Sequence, residues 1–123
     1  MYTKKTILIA DDEQFNYELI KRVINKIGKP KIICVETGAE VIEMCRLHPE
    51  IDLILMDLQM PFGNGYETIK IVKQLLPKVP VIAITAFVIA DSKRMALEAG
   101  FDMYLSKPIK FELLNLILEK YLS

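Results

Sequence analysis

Residues 53–57 read Leu-Ile-Leu-Met-Asp, four consecutive apolar side chains that end on an acid. An apolar run of this length without alternation is typical of a parallel strand that is buried on both faces. Three further runs have the same character, at residues 7–10, 32–35 and 81–84. A weaker fifth candidate covers residues 102–105. The sequence therefore predicts five short strands in a central parallel sheet.

The segments between these runs carry the 3.6-residue apolar periodicity of amphipathic helices. The first helix is expected from Phe15 to a stop at Gly28, and Thr37 can cap a second that ends near Pro49. The others are expected over residues 66–76, over residues 90–99 before Gly100, and from residue 109 to the end of the chain. Alternating strands and helices predict an α/β domain with a flavodoxin-like, doubly wound sheet of order 2-1-3-4-5.

Length and composition favour one domain over residues 1–123, with 52% hydrophobic residues to form its core. Lys plus Arg and Asp plus Glu each number 16, and this lack of basic excess argues against direct nucleic-acid binding. Cys34 and Cys45 form no metal-binding pair and are expected to be reduced thiols. With no signal peptide at residues 1–5 and no apolar run near the ~20 residues of a membrane helix, we expect a cytoplasmic domain without membrane insertion.

Polar residues follow four of the predicted strands. Asp11 and Asp12 follow the first, Asp57 ends the third, Thr85 ends the fourth and Lys107 comes just after the fifth. In a doubly wound sheet, ligands bind at the carboxyl ends of the strands, near the point where strand order reverses. The sequence therefore predicts that these five side chains surround one crevice.

The chemistry of such a crevice points to phosphate and a metal ion. Carboxylates that lie close together repel each other, so they recruit a cation or shift a pKa. Oxygen ligands favour Mg²⁺, and an aspartate can act as a nucleophile toward phosphorus. Taken singly, Asp11 or Asp12 could be a helix cap, Thr85 a strand end and Lys107 a solvated surface charge. Their joint placement at one sheet edge favours the functional interpretation.

Several stretches together closely resemble the receiver domain of two-component response regulators, over nearly the whole chain. They are ILIADDE at residues 7–13, LMDLQMP at 55–61, ITA at 84–86, EAGFD at 98–102 and SKP at 106–108. The resemblance implies that Asp57 is the phosphoacceptor and that Thr85 and Lys107 bind the phosphoryl oxygens. It further implies that Tyr104 is a switch residue that moves with Thr85, and that the bond before Pro108 is cis.

The resemblance also implies a Mg²⁺ site. Asp12 would bind the ion directly, Asp11 mainly through water, and Asp57 and the backbone carbonyl of Gln59 would complete the ligand set.

Two features are similar to the receivers of hybrid sensor histidine kinases, namely Asn16 and the run that begins at Asp57. Glu13 and Gly63 depart from that pattern.

The implied partner is a histidine kinase or a histidine phosphotransfer protein. Phe15 and Asn16 lie beside the acid pair and are the expected contact for that partner, whereas Phe87 begins an apolar stretch after Thr85 that is expected to belong to a docking or dimer surface.

The last helix carries more apolar residues than one buried face needs. Two interpretations stay open, a homodimer or docking surface on helices four and five, or a helix that covers a larger core.

Three other functions are weighed against a phosphorylation-switched receiver. A Mg²⁺-dependent phosphatase with an aspartyl-phosphate intermediate is the alternative, but its dehalogenase-like type needs a second aspartate where Gln59 stands. A degenerate receiver would lack one of the acids, the threonine or the lysine, and all are present. A flavin-binding module would have Ser, Thr and Gly where the first strand is followed by acids.

Overall fold

The computed structural model describes residues 1–60, 65–86 and 90–123. Within them, five strands alternate with five helices along the chain. Their bounds are β1 (Thr6–Ala10), α1 (Gln14–Ile27), β2 (Lys31–Val35), α2 (Gly38–Leu47), β3 (Leu53–Asp57), α3 (Gly65–Leu75), β4 (Val81–Thr85), α4 (Ser92–Ala99), β5 (Met103–Ser106) and α5 (Phe111–Leu122). No helix of the described residues is long and apolar enough to span a membrane.

The strands form one sheet in the order β2-β1-β3-β4-β5, and every neighbouring pair is parallel. The predicted flavodoxin-like topology is therefore confirmed. The register sets Ala10 beside Met56, Asp57 beside Ile84 and Thr85 beside Ser106. The carboxyl ends of β1, β3, β4 and β5 consequently lie along one edge of the sheet.

Alternate strand residues enter two separate cores, one on each face of the sheet. Leu8 and Ile54 face a core that includes residues of α2, α3 and α4. Ile7 and Leu55 face a second core, which includes residues of α1 and α5. Because side chains alternate across a strand, a continuous apolar run supplies both cores at once. This explains why β1 and β3 show no polar alternation.

The fifth strand and the fourth helix begin later than predicted. β5 starts at Met103 because the Asp102 carboxylate turns back to accept a hydrogen bond from the Val81 backbone N–H at 2.8 Å. α4 starts at Ser92, after Asp91 in a left-handed conformation with φ of 64°. It ends as predicted at Gly100, whose φ of 118° favours glycine.

The Asp102 carboxylate holds the lower edge of the sheet, opposite the candidate site. Its Oδ2 atom also accepts from the Lys73 ammonium at 2.8 Å, and that ammonium donates to the Val79 carbonyl at 2.6 Å. We name Lys73, Val79, Val81 and Asp102 the lower-edge bracket. It joins the end of α3 to the starts of β4 and β5.

Replacing the bracket carboxylate should destabilise the fold. We expect Asp102→Ala to lower the free energy of unfolding by about 2 kcal/mol, because the buried Val81 N–H loses its acceptor. Urea denaturation measures the change. Asp102→Asn is the matched control, since it keeps an oxygen acceptor and should cost about half as much. Equal stability of Asp102→Ala and the wild type would contradict this account of the bracket.

Both cysteines are unpaired thiols. Burial is the largest effect on the Cys34 thiol and raises its pKa, although a hydrogen bond with the Tyr17 side chain partly opposes this effect. Burial raises the pKa of the Cys45 thiol to about 11. The two thiols therefore stay protonated and poorly nucleophilic near neutral pH.

Candidate functional site

Three carboxylates meet at the carboxyl edge of the sheet. Asp11 and Asp12 directly follow β1, and Asp57 is the last residue of the adjacent β3. One oxygen of each lies within 4.8 Å of the others. Asp11 and Asp57 are only 4% and 3% exposed, whereas Asp12 is exposed. The strand order thus brings together acids that are about 45 residues apart in the chain.

Lys107 lies between the two buried carboxylates. Its ammonium is 2.7 Å from Asp57 Oδ2 and 3.2 Å from Asp11 Oδ2. Its backbone N–H donates to the Thr85 carbonyl at 2.8 Å, which fixes the segment after β5 beside β4. The side chain is only 15% exposed, so the interpretation of Lys107 as a solvated surface charge is wrong. The peptide bond from Lys107 to Pro108 is cis.

Burial, charges and hydrogen bonds in the cluster together raise the pKa values of Asp11 and Lys107. Burial is the largest effect on Asp11 and raises its pKa, and the charge of Asp57 raises it further against the hydrogen bond from the Glu13 N–H. For Lys107, burial lowers the pKa, but the hydrogen bond and charge of Asp57 and the charge of Asp11 outweigh it, so the pKa is raised overall. Lys107 therefore stays positively charged at neutral pH.

The oxygen atoms of this cluster fit a hard divalent cation. Asp11 Oδ1 accepts from the Glu13 N–H at 2.9 Å. Asp11 Oδ2 is buried and has no well-aligned hydrogen bond among the described residues, although the Lys107 ammonium is nearby. Three carboxylates facing one ammonium leave negative charge uncompensated, and Mg²⁺ prefers such ligands. Glu13, not Asp11 or Asp12, is the N-cap residue of α1, so the capping interpretation of those two acids is wrong.

Thr85 and Tyr104 each make a side-chain hydrogen bond across elements. Thr85 is 1% exposed, and its hydroxyl donates to Gln59 Oε1 at 2.8 Å. The backbone N–H of Gln59 donates to Asp57 Oδ1 at 2.9 Å. Tyr104 is half-buried in β5, and its hydroxyl shares a hydrogen bond of 2.7 Å with Ser92 Oγ at the start of α4. No sequence pattern singles out Ser92, apart from its position near a predicted helix start.

Two of the predicted partner-binding residues, Phe15 and Asn16, lie beside this cluster. Phe15 is 77% exposed on the first turn of α1. Phe15 and Asn16 line a groove of about 310 Å³ that also includes Lys107 and Pro108. Phe87, together with the rest of residues 87–89 and residues 61–64, lies outside the described residues.

α5 divides its apolar residues between the core and the surface. Four are buried, namely Leu114, Ile117, Leu118 and Leu122, so the helix does cover a substantial core. Other apolar residues are exposed on α5 and α4, namely Phe111, Leu113, Leu116, Met95 and Leu97. Each of the two interpretations of this helix thus accounts for part of its residues.

A family model described as the response regulator receiver domain matches residues 7–119. The chain belongs to this family. The receiver is 36% identical over 107 residues to the polar-differentiation response regulator DivK of Brucella ovis, a match that covers 85% of each chain. The family membership predicted from the sequence motifs is therefore confirmed.

Segments of much longer signal transduction proteins are equally similar. The receiver is 36% identical over 118 residues to the signal transduction histidine-protein kinase BarA of Escherichia coli K12, covering 94% of this chain and 13% of BarA. It is 36% identical over 123 residues to the hybrid signal transduction protein dokA of Dictyostelium discoideum. The chain spans 7% of the length of dokA.

Solved structures agree with the fold. The receiver domain of a sensor histidine kinase from Pseudomonas aeruginosa PAO1 superposes with a TM-score of 0.84 at 28% identity, covering 95% of this chain and 96% of that one. That structure holds a magnesium ion coordinated in its active-site cleft. The chemotaxis protein CheY4 of Vibrio cholerae shares the fold, with a TM-score of 0.83 at 21% identity and coverage of 95% and 98%.

Proposed function

We propose that this receiver accepts a phosphoryl group on Asp57 from the phosphohistidine of a histidine kinase or histidine phosphotransfer protein. An Asp57 carboxylate oxygen forms the new bond to phosphorus, the bond from phosphorus to the histidine nitrogen breaks, and the imidazole leaves with the electron pair. Water later attacks the phosphorus of the acyl phosphate slowly, the bond from phosphorus to the carboxylate oxygen breaks, and inorganic phosphate leaves as the Asp57 carboxylate is restored. The supporting observation is the burial of Asp57 between an acid pair and Lys107.

Mg²⁺ would be held by Asp12 directly, by Asp11 mainly through water, by Asp57 and by the backbone carbonyl of Gln59. The bound ion supplies positive charge that offsets the phosphoryl oxygens during transfer. The buried Asp11 oxygen without a well-aligned hydrogen bond supports this ligand set.

Two side chains would then bind the transferred group. Lys107 exchanges its contact with Asp57 Oδ2 for a phosphoryl oxygen, and its raised pKa keeps it charged for that purpose. Thr85 donates its hydroxyl to another phosphoryl oxygen. Tyr104 follows the movement of Thr85, and the population of the domain shifts toward the signalling state.

The phosphodonor would dock where Phe15 and Asn16 border the groove beside Lys107. Phe87 would contribute to a separate docking or dimer surface. An exposed aromatic ring next to the acceptor is a suitable anchor for an apolar helix face. The exposed residues of α4 and α5 are the surface for a homodimer or an output partner. We expect the domain to act in the cytoplasm, as a regulator by itself or as part of a hybrid kinase, without binding nucleic acid.

Labelling by a small phosphodonor tests the proposal. Incubation with acetyl phosphate and Mg²⁺ should add one phosphoryl group by intact mass, EDTA should prevent it, and hydroxylamine should remove it. Failure to label would contradict the proposed function. Sustained turnover of a phosphomonoester would instead favour the phosphatase alternative, for which Gln59 offers no acidic proton.

A further inference from the structure

The Thr85 hydroxyl is engaged before any phosphoryl group arrives. It donates to Gln59 Oε1 at 2.8 Å, and a threonine hydroxyl has one hydrogen to donate. We propose that the Gln59 carboxamide holds Thr85 in the unphosphorylated position and competes with the phosphoryl group for that hydrogen. Gln59 is thus a positioning residue that sets how far phosphorylation shifts the conformational equilibrium of the domain toward the signalling state. The inference rests on the proposed function, because the competitor is the phosphoryl group on Asp57.

Gln59 is well placed for this competition because it contacts both Asp57 and Thr85. Its backbone N–H donates to Asp57 Oδ1 at 2.9 Å, while its side chain reaches across to the end of β4. The main chain fixes where the residue sits, but its side chain is exposed and can turn into solvent. The carboxamide can therefore release Thr85 and find water as a substitute partner, which makes the bond reversible.

The strength of this bond sets the size of the effect. A neutral hydrogen bond of this kind contributes only modestly to the stability of the conformation in which it is made. Removing the acceptor weakens the unphosphorylated arrangement but leaves the contact from Thr85 to the phosphoryl group intact. Binding of a phosphoryl group or its mimic should then be about two- to tenfold tighter.

Isothermal titration calorimetry with Mg²⁺ and trifluoroberyllate, a mimic of the phosphoryl group on aspartate, tests the inference. Gln59→Met keeps the side-chain length and the backbone carbonyl but removes the acceptor, and it should bind the mimic about two- to tenfold more tightly than the wild type. In the Thr85→Val background the same Gln59→Met substitution should change affinity little, because the contested hydrogen is absent. Gln74→Met, at an exposed glutamine on α3, is the matched control and should bind like the wild type.

The outcomes separate the inference from the proposed function. Equal or weaker binding by Gln59→Met, or the same gain in the Thr85→Val background, would overturn the role of Gln59 while the receiver function stands. A wild type that binds neither the mimic nor a phosphoryl group would overturn the proposed function, and the inference with it.

Discussion

Asp57→Asn will take up no phosphoryl group from acetyl phosphate under conditions that label the wild type. The substitution keeps the size of the side chain and an oxygen for the Gln59 N–H, so the end of β3 should stay in place. It replaces the nucleophilic oxygen that faces Lys107 with a neutral amide. Intact-mass measurement with Mg²⁺ at matched times gives the result directly.

Asp52→Asn is the matched control for this loss. Asp52 comes just before β3, at the opposite end of that strand, and its carboxylate accepts from the Thr6 backbone N–H at 2.9 Å. It should label as the wild type does, because its carboxylate is remote from the acid cluster. Labelling of Asp57→Asn at the wild-type level would assign the acceptor to another residue.

Lys107→Met should lower the free energy of unfolding by about 3 kcal/mol in EDTA at neutral pH. The ammonium is the cation that faces both Asp11 and Asp57, and both carboxylates are almost fully buried. Removing it leaves two like charges side by side with the cost of their burial uncompensated. The folded pKa of Lys107 is raised, so its contribution is present at neutral pH and would be lost only as pH rises through that value.

Urea denaturation with and without Mg²⁺ measures this effect and its cause. Adding excess Mg²⁺ should narrow the difference from the wild type, because the cluster then regains positive charge. Arg94→Met is the control, since its ion pair with Glu98 is exposed and should contribute less than about 0.5 kcal/mol. A Lys107→Met protein as stable as the wild type in EDTA would show that the buried carboxylates need no cation.

The sequence predicted the topology because four apolar runs are unambiguous and parallel strands need both faces covered. It misplaced the start of β5 because Asp102 accepts a hydrogen bond from Val81, 21 residues earlier, and no local pattern records that contact. It misplaced the start of α4 because Asp91 adopts a left-handed conformation that few non-glycine residues favour.

The residues of the site were predictable for a topological reason, since ends of neighbouring parallel strands must meet. What each side chain contacts was not predictable. The double ion pair of Lys107 and the bond from Thr85 to Gln59 depend on rotamers chosen after the strands assemble. The role of Ser92 was not predictable either, because its contact with Tyr104 joins two elements that carry no shared motif.

The lower-edge bracket restrains the starts of two neighbouring strands. Val81 and Asp102 hold each other twice, because the Asp102 N–H also donates to the Val81 carbonyl at 2.8 Å. The starts of β4 and β5 are thus held together by two hydrogen bonds, whereas Thr85 lies at the opposite end of β4. If Thr85 moves as proposed, we expect the displacement to be largest at the carboxyl edge and smallest near Val81 and Asp102. We therefore expect phosphorylation to alter the surface beside the carboxyl edge more than the opposite edge of the sheet.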